Sequence, residues 1–326
     1  MKNIRIGVVG TGHLGQYHAR ILAKIKNCEL VGIADIDKKV ARRIAHVCKT
    51  EAFFDHKDLL DKVDAISIAV PTIHHFPVAK DFLNNEVHSF IEKPITTTVE
   101  EADELIAMAK KKKLVLQVGH IEHFNAAILK LKSIVERPMF VESHRLGPFL
   151  PRVKDIGVVL DLMIHDIDII MRIVNSPIES FDAVGVPILT DKEDIANVRI
   201  RFKNGCTANV TVSRVTPKPM RKIRIFQRDA YISIDYRSQS MEVYRKVPVK
   251  HPKRGQIPAR IVRKKIRLKV KNQLELELKH FLDCVEKDLQ PVVSGEQARD
   301  ALDTISRISN QIKEKIQTWA PKISLS

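Results

Sequence analysis

The stretch "IRIGVVGTGHLG", Ile4 to Gly15, decides how the first third of this chain folds. A strand-length apolar run ends at Gly10, and Gly12 and Gly15 follow in GxGxxG spacing. Glycine at all three places suits a strand that turns sharply into a helix. One glycine makes the turn, one admits a phosphate to the backbone, and one lets helix and strand pack closely. The free N–H groups of the helix start then face the anion. Gly10, Thr11, Gly12, His13, Leu14 and Gly15 are therefore candidates to hold a dinucleotide pyrophosphate, with His13 read as a loop residue rather than a catalyst. Asp35 ends the next strand, "ELVGIAD". A carboxylate there accepts ribose hydroxyls and repels a 2′-phosphate, so NAD is expected over NADP.

Strands and helices continue to alternate through "DAISIAV", "VHSFIEK" and "KLVLQVG". A capping box, Thr98 with Glu101, opens the helix before the last of these. Regular alternation predicts an α/β, Rossmann-type doubly wound parallel sheet over residues 1–121. Beyond it the period becomes two in "IANVRIRFKN", "CTANVTVSR", "AYISIDY" and "SMEVYRKV", with a turn at Asn204-Gly205. That pattern predicts an α+β domain over 122–326 with a large, mainly antiparallel sheet.

A chain of 326 residues is long enough for two such cores. Aromatic residues make up 5%, too few for single-strand stacking platforms, so nucleic acid is not the expected partner. Cys28, Cys48, Cys206 and Cys284 show no CxxC spacing and read as reduced thiols. No apolar run reaches the ~20 residues of a membrane span, and the N-terminal strand is too short for a signal sequence. A cytoplasmic protein is expected. The net charge is +16, and no acid interrupts Val243 to Leu274. This basic segment, densest over 245–271, reads as a solvated face, with an anion-binding surface as the alternative.

The second decisive stretch is "GVVLDLMIHDIDIIMRIV", Gly157 to Val174. Wound at about 100° per residue, Asp161, His165, Asp168 and Arg172 form one narrow polar stripe among aliphatics. Asp166 lies apart, near 140°, without an evident role. Buried charge must be paired or used. Asp168 and Arg172 are spaced as an i,i+4 pair and read as structural. Asp161 and His165 remain as candidates for chemistry. Glu92-Lys93-Pro94 ends a strand at the side where such sheets hold their ligands. Pro94 restricts the backbone at Lys93, which is either aimed into the crevice or a surface lysine. Pro71 and Thr72 follow the third strand and would line the nicotinamide side, with His75 either joining them or packing internally. Asp161 and His165 with His120 or His123 could ligate a metal, but a lysine already supplies positive charge and no metal is expected.

Together, "GTGHLG", "VPTIHH", Glu92–Pro94 and "GVVLDLMIHDID" make the chain similar to the Gfo/Idh/MocA family of NAD(P)-dependent oxidoreductases, over essentially its full length. The resemblance implies that Lys93, Asp161 and His165 meet at the nicotinamide. It also implies a homo-oligomer, dimer or tetramer, formed through the C-terminal sheet. "VGHIEHFNAAI" and "HRLGPFLPRVKDIGVVLDLMIHDID" further resemble the subgroup that oxidises the 3-hydroxyl of UDP-N-acetylglucosamine or its uronic acid. In that case Arg145 and Arg152 would meet a diphosphate or carboxylate, and His120 and Asn125 the sugar. Where relatives commonly read ERFNP this chain has His123 and Ala126, so a possible arginine contact is lost and the exact sugar stays open. Free sugars or cyclitols, or cofactor sensing without catalysis, are the competing functions.

Overall fold

The computed structural model describes residues 3–150, 156–249, 257 and 259–319. Two compact units divide them. The first holds residues up to 124 together with 272–302, and the second holds 125–271 and 303 onward.

The first unit is built on six parallel strands: β1 (Ile4–Val9), β2 (Cys28–Ala34), β3 (Glu51–Phe53), β4 (Ala65–Ile68), β5 (His88–Glu92) and β6 (Leu116–Gly119). Their order, β3-β2-β1-β4-β5-β6, is that of the doubly wound dinucleotide fold. β3 is too short to leave a periodic signal and was not expected. β1 and β4 lie buried on both faces, as parallel strands between helices must. On one side α1 (Gly15–Leu22), α2 (Lys38–Cys48) and α7 (Gln273–Lys287) bury Leu22, Ile44, Phe281 and Leu282 with Ile6, Ile33 and Phe90. On the other, α3 (His75–Asn84) and α4 (Val99–Lys112) bury Phe82, Leu83 and Leu105 with Ile66, Ile68 and Ile91. The Thr98–Glu101 capping box opens α4. Residues 272–302 thus return to the first unit, whereas the hydrophobic pattern had assigned them to the second domain.

The second unit is an eight-stranded sheet in the order β14-β13-β12-β11-β7-β10-β9-β8. Its strands are β7 (Phe140–Leu146), β8 (Ile178–Val186), β9 (Ile195–Phe202), β10 (Thr207–Ser213), β11 (Met220–Phe226), β12 (Ala230–Asp235), β13 (Ser240–Pro248) and β14 (Ala259–Ile266). Every pair is antiparallel except β7 with β10. β14 lies within the basic segment, where its charges hide the strand pattern; it is exposed along most of its length. The remaining helices are α5 (Ala126–Leu131), α6 (Ile164–Val174) and α8 (Gly295–Trp319). α8 supplies 295–302 to the first unit and 303 onward to the second.

One face of this sheet is aliphatic: Val198 and Ile200 on β9, Val210 and Val212 on β10, Ile223 and Ile225 on β11, Ile232 and Ile234 on β12. β7 breaks the pattern with buried Ser143 and Arg145. Both answer Asp166 on α6. Ser143 Oγ donates to its Oδ1 at 2.7 Å, and Arg145 Nε donates to its Oδ2 at 2.7 Å. The guanidinium also lies 5.2 Å over the Tyr236 ring. The residue that the helical projection left without a role therefore closes a buried ion pair between helix and sheet.

A second buried pair, Arg214 with Asp194, pins the loop after β8. Asp194 accepts from Arg214 Nε at 2.6 Å and from the main-chain N–H groups of Ile188, Leu189 and Thr190. Burial alone would push this carboxyl up; the donors outweigh it and bring it down to about 2. Its folded pKa is below the unfolded one, so its stabilisation is full above pH ~4 and disappears as pH falls through ~2. Stability curves of the parent and of Asp194→Asn, from denaturant unfolding at stepped pH, are expected to converge across that window. Asp166→Asn strands a buried guanidinium and is expected to cost about 3–5 kcal/mol, read from urea unfolding at neutral pH.

Candidate active site

In the first unit, the glycine loop adjoins the carboxyl end of β4. Gly10 has φ +80, and a Cβ there would come within 2.8 Å of the Ala69 carbonyl oxygen. A Cβ on Gly15 would overlap the carbonyl oxygen of Gly10. A Cβ on Gly12 would meet nothing within 4 Å. Two glycines are thus required by the protein's own packing, while the third keeps open space beside the start of α1. Gly12, His13 and Leu14 are exposed, and no side chain caps the helix at Leu14. An uncapped helix N-terminus facing open space fits a pyrophosphate.

Asp35 follows β2 and is tied to the same loop. Its Oδ2 accepts from Thr11 N at 2.7 Å and Thr11 Oγ1 at 3.0 Å, and its Oδ1 accepts from Asp37 N at 2.9 Å. A carboxylate has about four lone-pair sites, so acceptor capacity remains for ribose hydroxyls. The loop and Asp35 therefore fit the adenosine and diphosphate portions of NAD.

Pro71 is exposed and Thr72 half-buried at the exit from β4. His75 is turned inward, with Nδ1 2.8 Å from the Pro94 carbonyl and Nε2 3.0 Å from that of Val70. Burial holds its pKa below the ordinary range, although both carbonyls act to raise it. The ring ties the loop after β4 to the loop after β5, which makes it a positioning residue for both. Lys93 follows β5, is half-buried, and precedes a cis peptide to Pro94. Glu92, the residue before it, is buried. His120, after β6, is buried at 1% exposure.

In the second unit, the segment before α6 is not a regular α-helix. Val159–Met163 form a π-turn, which widens the winding at Asp161 before α6 begins. Such turns recur at functional sites. Glu193 fixes this start: its Oε1 accepts from Val159 N at 3.2 Å, and Gly157 leaves it room. Asp161 and His165 are half-buried, not sealed in. Asp168 is buried and pairs with Arg172 at 3.3 Å, as its spacing suggested.

Two sequence candidates for substrate contact have other commitments. Arg145 is bound to Asp166, as described. Asn125 caps α5 by accepting from Ala127 N at 3.0 Å and donates to the Tyr236 carbonyl at 3.1 Å. Arg152 lies outside the described residues. Among the described residues no group of three His, Cys, Asp or Glu side chains is placed to hold a metal. Burial pushes the thiols of Cys28, Cys206 and Cys284 up to about 11, which leaves them unreactive at neutral pH. His18, which reaches Glu92 from α1, was missed in the sequence; its place one turn into the helix after a glycine loop was the available signal.

The glycine geometry separates two effects. Gly12→Ala is expected to keep the parent's melting temperature while weakening NAD binding at least about tenfold, by blocking close backbone approach. Gly15→Ala is expected to lower the melting temperature itself. Calorimetry and NAD titration of both variants check this.

Residues 4–120 match the oxidoreductase family with an NAD-binding Rossmann fold, and residues 127–233 match the GFO/IDH/MocA C-terminal domain. The UDP-N-acetylglucosamine 3-dehydrogenase of Acidithiobacillus ferrooxidans is 38% identical over 87% of this chain and 90% of its own length. Its crystal structure superposes with a TM-score of 0.89, covering 96% of this chain and 99% of that one. The myo-inositol 2-dehydrogenase of Thermotoga maritima is 28% identical over 92% of this chain and 93% of its own. With both units matched and the first relative aligned nearly end to end, this chain belongs to the Gfo/Idh/MocA family of oxidoreductases.

Proposed function

We propose that this protein oxidises the 3-hydroxyl of a UDP-N-acetylglucosamine-type sugar, with NAD as acceptor. The observation that carries this is the 38% identity to a UDP-N-acetylglucosamine 3-dehydrogenase over 90% of that enzyme. Bound NAD supplies the hydride acceptor. This chain's residues supply the rest. His165 takes the proton from the hydroxyl, as imidazoles commonly do in catalysis. Lys93 donates a hydrogen bond to the same oxygen as negative charge develops on it. Asp161, one turn before His165, orients the imidazole or binds a neighbouring hydroxyl.

The NAD preference is supported by Asp35, whose charge opposes a 2′-phosphate. Lys38 and Arg42, two of the cations that follow it on α2, each lie 5.3 Å from the Phe54 ring. With Arg145 committed to Asp166, recognition of the diphosphate falls to Arg152 and other groups. The chain assembles as a homo-oligomer through the second sheet. Phe140, Phe226, Tyr231 and Tyr244 stack in a row across it, at centroid separations of 5.6, 4.8 and 5.0 Å, and suit such an interface.

Incubation with UDP-N-acetylglucosamine and NAD is expected to yield NADH, followed by absorbance, while NADP gives far less. Lys93→Ala is expected to bind NAD as the parent does and to lose at least about a hundredfold in kcat. Turnover of myo-inositol with none of UDP-sugars would select the cyclitol function suggested by the Thermotoga relative. Unchanged turnover in Lys93→Ala would remove Lys93 from the chemistry.

A further inference from the structure

The first unit contains a buried polar chain behind Lys93 that neither the glycine loop nor the hydride chemistry accounts for. It begins at Ser67 on β4, whose Oγ lies 2.9 Å from Nδ1 of His18 on α1. The other ring nitrogen, Nε2, lies 3.1 Å from Oε1 of Glu92 at the end of β5. The second carboxylate oxygen, Oε2, accepts from the main-chain N–H of Lys93 at 3.3 Å. Ser67 and His18 are fully buried and Glu92 is 8% exposed. Gly119 on β6 presses on the carboxyl group: a Cβ there would approach Oε1 to 3.0 Å. The Glu92 carboxylate on β5 is therefore met by His18 from α1, which Ser67 on β4 backs in turn, and by a backbone position on β6.

We propose that Ser67, His18 and Glu92 form a positioning relay that fixes a carboxylate directly behind Lys93 and holds that lysine in its charged, donating form. This rests on Lys93 being the residue that meets the substrate oxygen.

Donor and acceptor chemistry sets the direction of the relay. A carboxylate only accepts, so Nε2 of His18 carries the proton that faces Glu92. The Ser67 hydroxyl adapts to Nδ1, as donor to a neutral ring or as acceptor from a charged one. A buried carboxylate without such a donor would take up a proton instead.

The titratable groups that influence Glu92 are His18 from α1, Lys93 beside it, His75 from α3 and Glu277 from α7. Burial alone would push the Glu92 carboxyl up; His18 and Lys93 outweigh it and hold it below the ordinary range. Glu277 is fully buried, and neither carboxyl oxygen has a hydrogen-bond partner among the described residues. Burial, and then the charge on Glu92, push it well above the ordinary range. Two neighbouring buried carboxyls do not both ionise. The opposite directions of the two shifts favour the negative charge on Glu92 over Glu277.

The test measures Lys93 directly. The full-length protein is treated with trinitrobenzenesulfonate across a pH series, and modification of the Lys93 peptide is read by mass spectrometry. Glu92→Gln keeps the shape and removes the charge. Its midpoint for Lys93 modification is expected about one pH unit lower than the parent's, because an amine loses a stabilising carboxylate. The alkaline limb of kcat is expected to move the same way, with NAD affinity unchanged. His18→Gln retains a donor toward Glu92 and is expected to stay closer to the parent than His18→Leu. Ser67→Ala is expected to shift the midpoint in the same direction by less.

Unchanged Lys93 midpoints in Glu92→Gln and His18→Leu would overturn the relay. If Glu92→Gln does not fold, His18→Leu and Ser67→Ala decide: parental midpoints in both overturn it, and a downward shift that is larger in His18→Leu than in Ser67→Ala supports it. The modification assay needs no turnover. A shifted midpoint together with full activity in Lys93→Ala would therefore leave the relay standing while removing Lys93 from the chemistry.

Discussion

The carbonyl oxygen of Gly10 leaves no room for a side chain at residue 15, and much of the first unit follows from that exclusion. Because residue 15 is glycine, α1 starts directly against the exit of β1 instead of standing off from the sheet. Its positive end is then fixed beside the open space at Gly12. Its next turn is fixed as well, which brings His18 within reach of both Ser67 and Glu92. A backbone contact on the cofactor side thus determines where an imidazole lies behind Lys93. Substitution at Gly15 would disturb both at once.

The second unit relies on charge where the first relies on close packing. Its two buried arginine–aspartate pairs, Arg145–Asp166 and Arg214–Asp194, join different segments of the unit. A hydrophobic contact would tolerate sliding of α6 over the sheet. A carboxylate that accepts from both Ser143 and Arg145 tolerates little. With Glu193 fixing the π-turn ahead of it, the helix carrying Asp161 and His165 is held at its start and along its buried side. The two half-buried side chains therefore project from a rigid support.

Features encoded by local spacing were legible in the sequence. The glycine loop, Asp35 at a strand end, the Thr98–Glu101 capping box and the i,i+4 pair of Asp168 and Arg172 depend on neighbours within one element or one connection. Features that depend on distant partners were not. Asp166 had no sequence neighbour to explain it, because its partners are on β7. Arg145 and Asn125 looked available for ligands because residue type does not reveal that a guanidinium is already paired or that an amide caps a helix. The winding at Asp161 also differs from the assumed 100° per residue, since nothing local marks a π-turn. β14 escaped notice because strands are recognised by their apolar alternation, and an edge strand of "ARIVRKKI" has little.

That edge strand has a consequence for handling the protein. β14 is the last strand of its sheet and is studded with arginine and lysine. A bare edge invites pairing with another copy, and like charges facing one another oppose it. The opposition is electrostatic, so it reaches about 10 Å in 0.1 M salt but only about 3 Å in 1 M. The barrier against strand-to-strand aggregation is consequently lowest in concentrated salt or in the presence of polyanions, and dilute buffer is the condition in which this chain keeps its edges apart.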